Sequence, residues 1–132
     1  MTDEALIMVL IERRDTLKTL HFDGSSLRDQ GYQHLSVCTF LEELQIRNAW
    51  NIGDNGLESI SRLKNLKVLE LHDSYTSTKE TGFVNLFSDK KLENLEKLVL
   101  LRCDTSTEVV NIISQNCLNL ASLKIENCGA GI

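Results

Sequence analysis

The sequence predicts an α/β solenoid, a right-handed β-α superhelix in which short parallel strands alternate with helices. Two observations predict it. Leucine supplies 22 of the 132 residues while aromatic residues make up only 5%, so leucine must fill most of the core. The spacing leucine-x-x-leucine-x-apolar also recurs five times, which indicates a repeat architecture. The five segments are Leu17-Leu20-Phe22, Leu41-Leu44-Ile46, Leu66-Leu69-Leu71, Leu95-Leu98-Leu100 and Leu120-Leu123-Ile125.

Each recurring segment predicts one short strand. The apolar-x-apolar alternation directs two side chains inward and the intervening ones outward. One such strand cannot bury its apolar side alone, whereas stacked copies form a parallel sheet over a continuous core. The remaining residues of each repeat supply the crossover that parallel strands need. We therefore expect about five parallel strands on a concave face and helices on the convex face.

The crossovers are predicted to be helical. Between the second and third strands, Ile52, Leu57, Ile60 and Leu63 fall three or more residues apart, which suits a helix facing the sheet. Asp54 is the expected N-cap of that helix. The other repeats place apolar residues in the same interval, namely Leu27, Tyr32, Leu35 and Cys38, then Phe83, Leu86 and Phe87, then Val109, Ile112 and Ile113.

Residues 1–14 are predicted to form an N-terminal capping helix. The helix is expected over residues 3–14, with Thr2 or Asp3 as its N-cap. We expect it to cover the N-terminal end of the core with one apolar face, formed by Leu6, Ile7, Leu10 and Ile11. Residues 15–132 form the predicted repeat domain, with about five repeats of which the last is incomplete.

The predicted C-terminal strand is an open edge, because no helix is expected after it. An uncovered edge strand is a template for pairing with another chain. Either the solenoid continues beyond this sequence or a partner covers the edge, and self-association is one version of the latter. Leu123 and Ile125 are the residues predicted to carry this edge association.

A small residue lies three positions after the third apolar residue of every repeat, at Ser25, Ala49, Ser74, Cys103 and Cys128. With the leucine spacing, this resembles the leucine-rich repeat family over residues 15–132. Residues 52–57 are similar to the I-T-D-x-G-L signature of the cysteine-containing subtype, and Cys38 and Cys117 match the C-x-x-L that opens its consensus. The polar insert at residues 74–81 departs from the consensus.

The cysteine-containing subtype is typical of the F-box/leucine-rich-repeat substrate receptors of ubiquitin ligases, and it also occurs in mitochondrial relatives. The resemblance therefore implies an interaction module that recognises another protein, including substrate recognition for ubiquitin ligation. It names no partner, because one repeat scaffold serves unrelated roles.

The side chains between the leucines are predicted to line the concave face, where solenoids commonly bind partners. Its centre is Val68, Val99 and Leu101, and an apolar centre within a charged rim is typical of protein interfaces. The alternative is that these residues are there as good strand formers. The candidate partner-binding residues are Glu43, Gln45, Arg47, Val68, Glu70, His72, Lys97, Val99, Leu101 and Lys124.

Other classes of partner and activity are not expected. The formal charge of -5 argues against nucleic acid, and no apolar run is long enough to span a membrane. His21 and His72 are predicted two strands apart, and no catalytic motif is present, so we expect no enzyme. Trp50 is interpreted as packed over a loop, with an interface role as the alternative.

The four cysteines are interpreted as small buried apolar residues. The chain has no C-x-x-C motif, so no metal and no cofactor are expected. Cys103 and Cys128 fall at the same repeat position and could form a disulfide, but reduced thiols fit the predicted cytoplasmic or nuclear location better. A mitochondrial location stays open through the resemblance.

Overall fold

Strands and helices alternate along the chain. The computed structural model describes residues 1–74, 80–103 and 105–128, so positions 75–79 of the predicted polar insert lie outside the described residues. The elements are α1 (Asp3–Glu12), β1 (Thr19–Asp23), α2 (Asp29–Tyr32), a 3-10 turn (Leu35–Val37), β2 (Glu43–Arg47), α3 (Asp54–Ser61), β3 (Val68–His72), α4 (Glu80–Phe87), β4 (Lys97–Leu101), α5 (Thr107–Asn116) and β5 (Ser122–Glu126).

The strands form one sheet in the order β1-β2-β3-β4-β5, and every neighbouring pair is parallel. Repeat positions align across the sheet, since the second leucine of each segment pairs with its counterpart in the next strand. The prediction of an α/β fold with five parallel strands is confirmed. The arrangement is consistent with a repeat solenoid.

The core lies between the sheet and the helices. The inward leucines of the three central strands are fully buried, and they share one apolar cluster with residues of all five helices. Leu57, Ile60 and Leu63 are each at most 1% exposed, as the helical spacing predicted. Burying a leucine side chain stabilises the fold by about 2 kcal/mol. Leucines at the same inward positions of successive repeats therefore fill the core of a chain that has few aromatic residues.

The N-terminal helix α1 is shorter than predicted and buries less. The hydroxyl of Thr2 accepts a hydrogen bond from the N–H of Ala5 at 3.2 Å, which confirms Thr2 as the N-cap. Leu6 and Leu10 are buried, but Ile11 is 43% exposed, so its predicted place on the buried face was wrong. The reason is that α1 packs mainly against α2 and the 3-10 turn, which leaves Ile11 largely uncovered in the described part of the chain.

The N-terminus of α3 is capped from the preceding repeat. The prediction of Asp54 as N-cap was wrong, because Gly53 occupies that position and Asp54 lies in the first turn. The carboxylate of Asp29 instead accepts hydrogen bonds from the N–H groups of Gly53 at 2.8 Å and Gly56 at 2.9 Å. A helix N-terminus leaves its first N–H groups without intrahelical partners, and Asp29 satisfies two of them.

Asparagine side chains connect successive repeats just before β3, β4 and β5. Asn65 donates a hydrogen bond to the carbonyl of Thr39 at 2.8 Å. Asn94 donates in the same way to Lys64, and Asn119 to Glu93. Each asparagine immediately precedes the first leucine of its repeat. These bonds satisfy loop carbonyls and hold the spacing between neighbouring strands.

The four strands β2, β3, β4 and β5 are each followed by a residue of left-handed backbone conformation. Asn48, Asp73, Arg102 and Asn127 have φ between 52° and 62°. Asparagine and aspartate adopt this region more readily than other side chains with a Cβ, whereas arginine does not favour it. The turn carries the chain off the sheet, so the side chains that follow the strands lie beside the sheet's outer surface.

Candidate functional site

One surface of the sheet is not covered by helices. We call it the open face and define it by the outward side chains of the five strands. Its rows run across the sheet in the observed register, Thr19-Glu43-Val68-Lys97-Ser122 first and His21-Gln45-Glu70-Val99-Lys124 second. All ten predicted partner-binding residues lie on this face. Arg47, Lys97 and Lys124 are exposed, and Glu43, Gln45, Val68, Glu70, His72 and Leu101 are half-buried.

Val99 is the exception, because only 5% of it is exposed. The sequence predicted it at the accessible centre of the face, and that was wrong. Val99 lies on an interior strand between Glu70 and Lys124 of the same row. A valine is shorter than the glutamate and the lysine beside it, so its side chain reaches less far from the sheet than theirs. The accessible apolar surface is therefore limited to Val68 and Leu101.

Charge is divided along the open face. Acidic Glu43 and Glu70 lie on β2 and β3, whereas basic Lys97 and Lys124 lie on β4 and β5. The division is joined in the middle, where the Nζ of Lys97 lies 3.9 Å from a carboxylate oxygen of Glu70. On β1, Nε2 of His21 lies 2.5 Å from Oε2 of Glu43. The division is incomplete, because Arg47 on β2 and Glu126 on β5 carry the opposite charge, and the face therefore presents charges of both signs to a partner.

His72 lies beside this junction. Its side chain is 15% exposed, and its Nε2 is 3.6 Å from Oε1 of Glu70, which is beyond hydrogen-bonding distance. Within the described residues this Nε2 has no hydrogen-bond partner. A polar group left without a partner while shielded from water costs free energy. The open face therefore contains one shielded polar atom whose hydrogen-bonding capacity is not used within the described residues.

An ion pair at the carboxyl ends of β3 and β4 borders the open face. The guanidinium of Arg102 donates two hydrogen bonds to the carboxylate of Asp73, one of them at 3.1 Å from Nη2 to Oδ2. The hydrogen bond from Arg102 lowers the pKa of Asp73 below its ordinary value. The sequence reasoning missed both residues. The available signal was their position, two residues after the third apolar residue of each repeat, where Asn48 and Asn127 also lie.

A second carboxylate, Asp23, is fixed at the end of β1. It accepts hydrogen bonds from the N–H of Ser25 at 2.8 Å and from the Asn48 side chain at 3.0 Å. The bonds from Ser25, with that from Asn48, lower the pKa of Asp23. Trp50 donates from Nε1 to the carbonyl of Ser25 at 3.4 Å and is 39% exposed. These contacts stabilise the loop border next to the open face.

The C-terminal edge exposes core side chains. Leu123 is 46% exposed and Ile125 is half-buried, although both occupy positions that are fully buried in β4. Between α5 and β5 lies a groove of about 450 Å³, and its apolar lining residues are Val110, Ile113, Cys117, Leu118, Leu120, Ala121 and Leu123. The groove occupies the place that the next helix fills beside the inner strands.

The four cysteines are free and buried. Burial raises the pKa of the Cys38 thiol and raises that of Cys117 to about 11. Cys103 donates its N–H to the sulfur of Cys128 at 3.4 Å, and the thiol of Cys128 donates to the carbonyl of Leu100. Hydrogen bonding between the two thiols raises the pKa of Cys103 and lowers that of Cys128.

Two further features are absent from the part of the chain that the structure describes. Within residues 1–74, 80–103 and 105–128, no three or more His, Cys, Asp or Glu side chains come together in a way that could hold a metal ion. In the same part of the chain, no helix has both the length and the apolar character needed to cross a bilayer.

Comparison with known proteins identifies similar folds. No family model and no curated protein sequence matches this chain. Among solved structures, it is similar to a chain in the crystal structure of a yeast Rad7 and Elc1 complex, with a TM-score of 0.77, 21% identity and coverage of 97% of this chain. The C-terminal domain of tropomodulin from Caenorhabditis elegans is also similar, with a TM-score of 0.64, 14% identity and coverage of 93% of this chain and 81% of that one.

At these identities the similarities concern the fold alone. They are consistent with a leucine-rich-repeat-like fold. This chain spans 38% of the chain that it matches in the Rad7 and Elc1 complex. The similarity therefore covers only part of that longer chain.

Proposed function

We propose that this chain is a protein-protein interaction module, a leucine-rich-repeat solenoid of the cysteine-containing type, and that it binds a protein partner through its open face. The observation that carries the proposal is the alignment of outward side chains over five strands into one surface, on which charges of both signs surround a narrow apolar centre. Complementary charge steers and orients a partner, and a small apolar centre contributes affinity.

The proposed partner is a protein and neither a nucleic acid nor a membrane. Lys97 and Lys124 share the open face with the carboxylates of Glu43, Glu70 and Glu126, whereas a nucleic acid would need clustered positive charge. The chain is proposed to act by binding, without catalysis and without a cofactor. We further propose a cytoplasmic or nuclear location, with the mitochondrion as the open alternative, where the four free thiols stay reduced.

The link to ubiquitin ligation belongs to this proposal too. Its support is the resemblance of the repeats to the F-box/leucine-rich-repeat subtype, together with the similar fold in the Rad7 and Elc1 complex. In that reading, the open face would recognise a substrate and another part of the ligase would act on it.

The open face is tested by substitution and affinity capture from an extract, with bound proteins identified by mass spectrometry. Leu101→Glu and Lys97→Glu should each release a specifically captured protein, because Leu101→Glu places a negative charge on the apolar centre and Lys97→Glu reverses a positive charge beside it. The matched controls are Phe40→Glu and Lys64→Glu, which alter exposed residues outside the open face. Equal capture by all four variants would reject the open face as the binding surface.

A second candidate function is assembly through the C-terminal edge. The observation that favours it is the exposure of Leu123 beside the apolar groove. In this case the chain would be a structural subunit that docks or self-associates through Leu123 and Ile125. Sedimentation analysis over a range of concentrations tests it, because a monomer at every concentration would contradict self-association.

A further inference from the structure

Large apolar side chains are exposed mainly at the two ends of the sheet. At the N-terminal end, Met8 is 64%, Ile11 43% and Val9 41% exposed on α1. At the C-terminal end, Leu118 is 62% and Leu123 46% exposed. The inner helix α3 differs, since polar residues such as Asn55 and Glu58 occupy its exposed positions. Apolar surface of this kind at an end of a repeat array indicates a contact surface.

The inner strands show what would fit the C-terminal groove, because the following helix and strand fill the equivalent space beside each of them. Leu98, the equivalent of Leu123 in β4, is fully buried. What covers an inner strand on its C-terminal side is the following unit, a helix and then a strand. The groove between α5 and β5 would therefore accept one helix with an apolar face, followed by a strand parallel to β5.

The N-terminal end of the same chain supplies such a unit. Helix α1 begins at Asp3 and β1 at Thr19, while α5 begins at Thr107 and β5 at Ser122, so the two units differ by one residue in length. Met8 and Ile11 project from α1 on the side opposite the buried Leu6 and Leu10, since each residue advances the helix by about 100°. That exposed side is the one an additional strand and helix would cover.

Resting on the second candidate function, we propose that copies of this chain stack head to tail. Helix α1 of one copy lies in the groove between α5 and β5 of the next, and β1 continues the parallel sheet beyond β5. Met8 and Ile11 then bury against Leu118 and Leu123. The contact is heterologous, because it joins two different surfaces, and it can add further copies in the same direction.

The stacked copies also meet unfavourable charge. Each chain carries a formal charge of -5. Continuing the sheet register would bring Asp23 of β1 next to Glu126 of β5, and like charges on neighbouring strands repel. Salt screens that repulsion while the apolar contact persists. The association is therefore weak at low ionic strength and strengthens as salt is added.

Two variants and their mixture test the arrangement. Met8→Glu should disable the N-terminal surface and Leu123→Glu the C-terminal surface, each weakening self-association about tenfold or more by burying a charge in an apolar contact. Mixing the two variants should restore a dimer of one copy of each and nothing larger, because each retains the surface that the other lacks. Sedimentation velocity at high ionic strength measures the species.

The outcomes separate the proposals. A mixture that stays monomeric overturns head-to-tail stacking, and so does a wild-type chain that is monomeric at all concentrations. If Leu123→Glu dissociates the assembly while Met8→Glu does not, the contact is between two C-terminal edges, which overturns stacking but keeps the second candidate function. Phe40→Glu is the control outside both ends, and Leu118→Glu is a second C-terminal variant if Leu123→Glu fails to fold by circular dichroism.

Discussion

The carboxylate of Asp29 accepts a hydrogen bond from the N–H of Gly56 at 2.9 Å, across 27 residues of sequence. The same oxygen accepts from the N–H of Gly53. One side chain on the short helix α2 thus caps α3 of the next repeat. The contact fixes the position of one repeat relative to the next on the helical side. Strand pairing does the same on the sheet side.

Replacing Asp29 with alanine should lower the free energy of unfolding by about 1–2 kcal/mol, because two N–H groups at the start of α3 lose their acceptor. Urea denaturation followed by circular dichroism measures the change. Asp54→Ala is the matched control, since Asp54 is exposed in the first turn of the same helix and its loss should cost a few tenths of a kcal/mol. Equal effects of the two substitutions would contradict capping by Asp29.

Gly56 is needed because α2 and α3 approach closely at this position. A Cβ added to Gly56 would lie 2.7 Å from Ile52 Cγ1, 2.8 Å from Asp29 Oδ1 and 2.8 Å from Tyr32 Cβ. In an exposed helix, changing glycine to alanine stabilises by about 1 kcal/mol. Here the overlap outweighs that gain, so Gly56→Ala should destabilise by about 1–3 kcal/mol.

The same denaturation experiment checks this prediction. Asn55→Ala changes the adjacent, exposed residue of α3 and should leave stability nearly unchanged or slightly raised. A Gly56→Ala variant as stable as wild type would show that α2 and α3 can separate at no cost.

The strands and their register were predictable because one short pattern fixes them. Every inward leucine lies at a constant place in its repeat, and parallel stacking brings like places together, as the pairing of Leu44 with Leu69 shows. The helices before β3 and β5 followed from the same spacing. The exposure of Ile11 was not predicted. Its burial would require a further strand and helix next to α1, and sequence periodicity does not show whether such elements are present.

The open face was predictable in position but not in accessibility. The rows of outward side chains follow from strand alternation, so all ten candidate residues were placed together. The low exposure of Val99 was not predicted, because accessibility depends on the packing around a side chain and not on strand alternation. The pairing of Arg102 with Asp73 was missed for a similar reason, since it joins residues 29 apart whose only shared signal is a turn position.

The contribution of a leucine to the stability of this fold depends on whether neighbouring residues bury its side chain completely. Leu69→Ala should cost about 2–5 kcal/mol, because Leu69 is fully buried on the central strand and its truncation leaves a cavity. Leu118→Ala should cost less than about 0.5 kcal/mol in the monomer, since Leu118 is 62% exposed. Thermal or urea denaturation at low protein concentration compares them. A similar loss from both would contradict an open groove at the C-terminal end.

The ion pair of Asp73 and Arg102 predicts a pH-dependent contribution to stability. The folded-state pKa of Asp73 lies below its ordinary value of 3.8, first because Arg102 donates to the carboxylate. The stabilisation is therefore fully present above the unfolded-state pKa and is lost as the pH falls through the folded-state pKa. Because the pair is partly exposed, we expect its contribution to be about 0.5–1 kcal/mol.

Asp73→Asn isolates this charge effect, because asparagine already occupies the equivalent left-handed turn positions at Asn48 and Asn127. The variant should be less stable than wild type at neutral pH, and the difference should vanish once the pH is below the folded-state pKa of Asp73. Urea denaturation at a series of pH values measures it. Asp89→Asn is the control, since Asp89 is exposed and also left-handed, with φ of 58°. A destabilisation by Asp73→Asn that is equal at every pH would show that the turn, and not the ion pair, is the source of the effect.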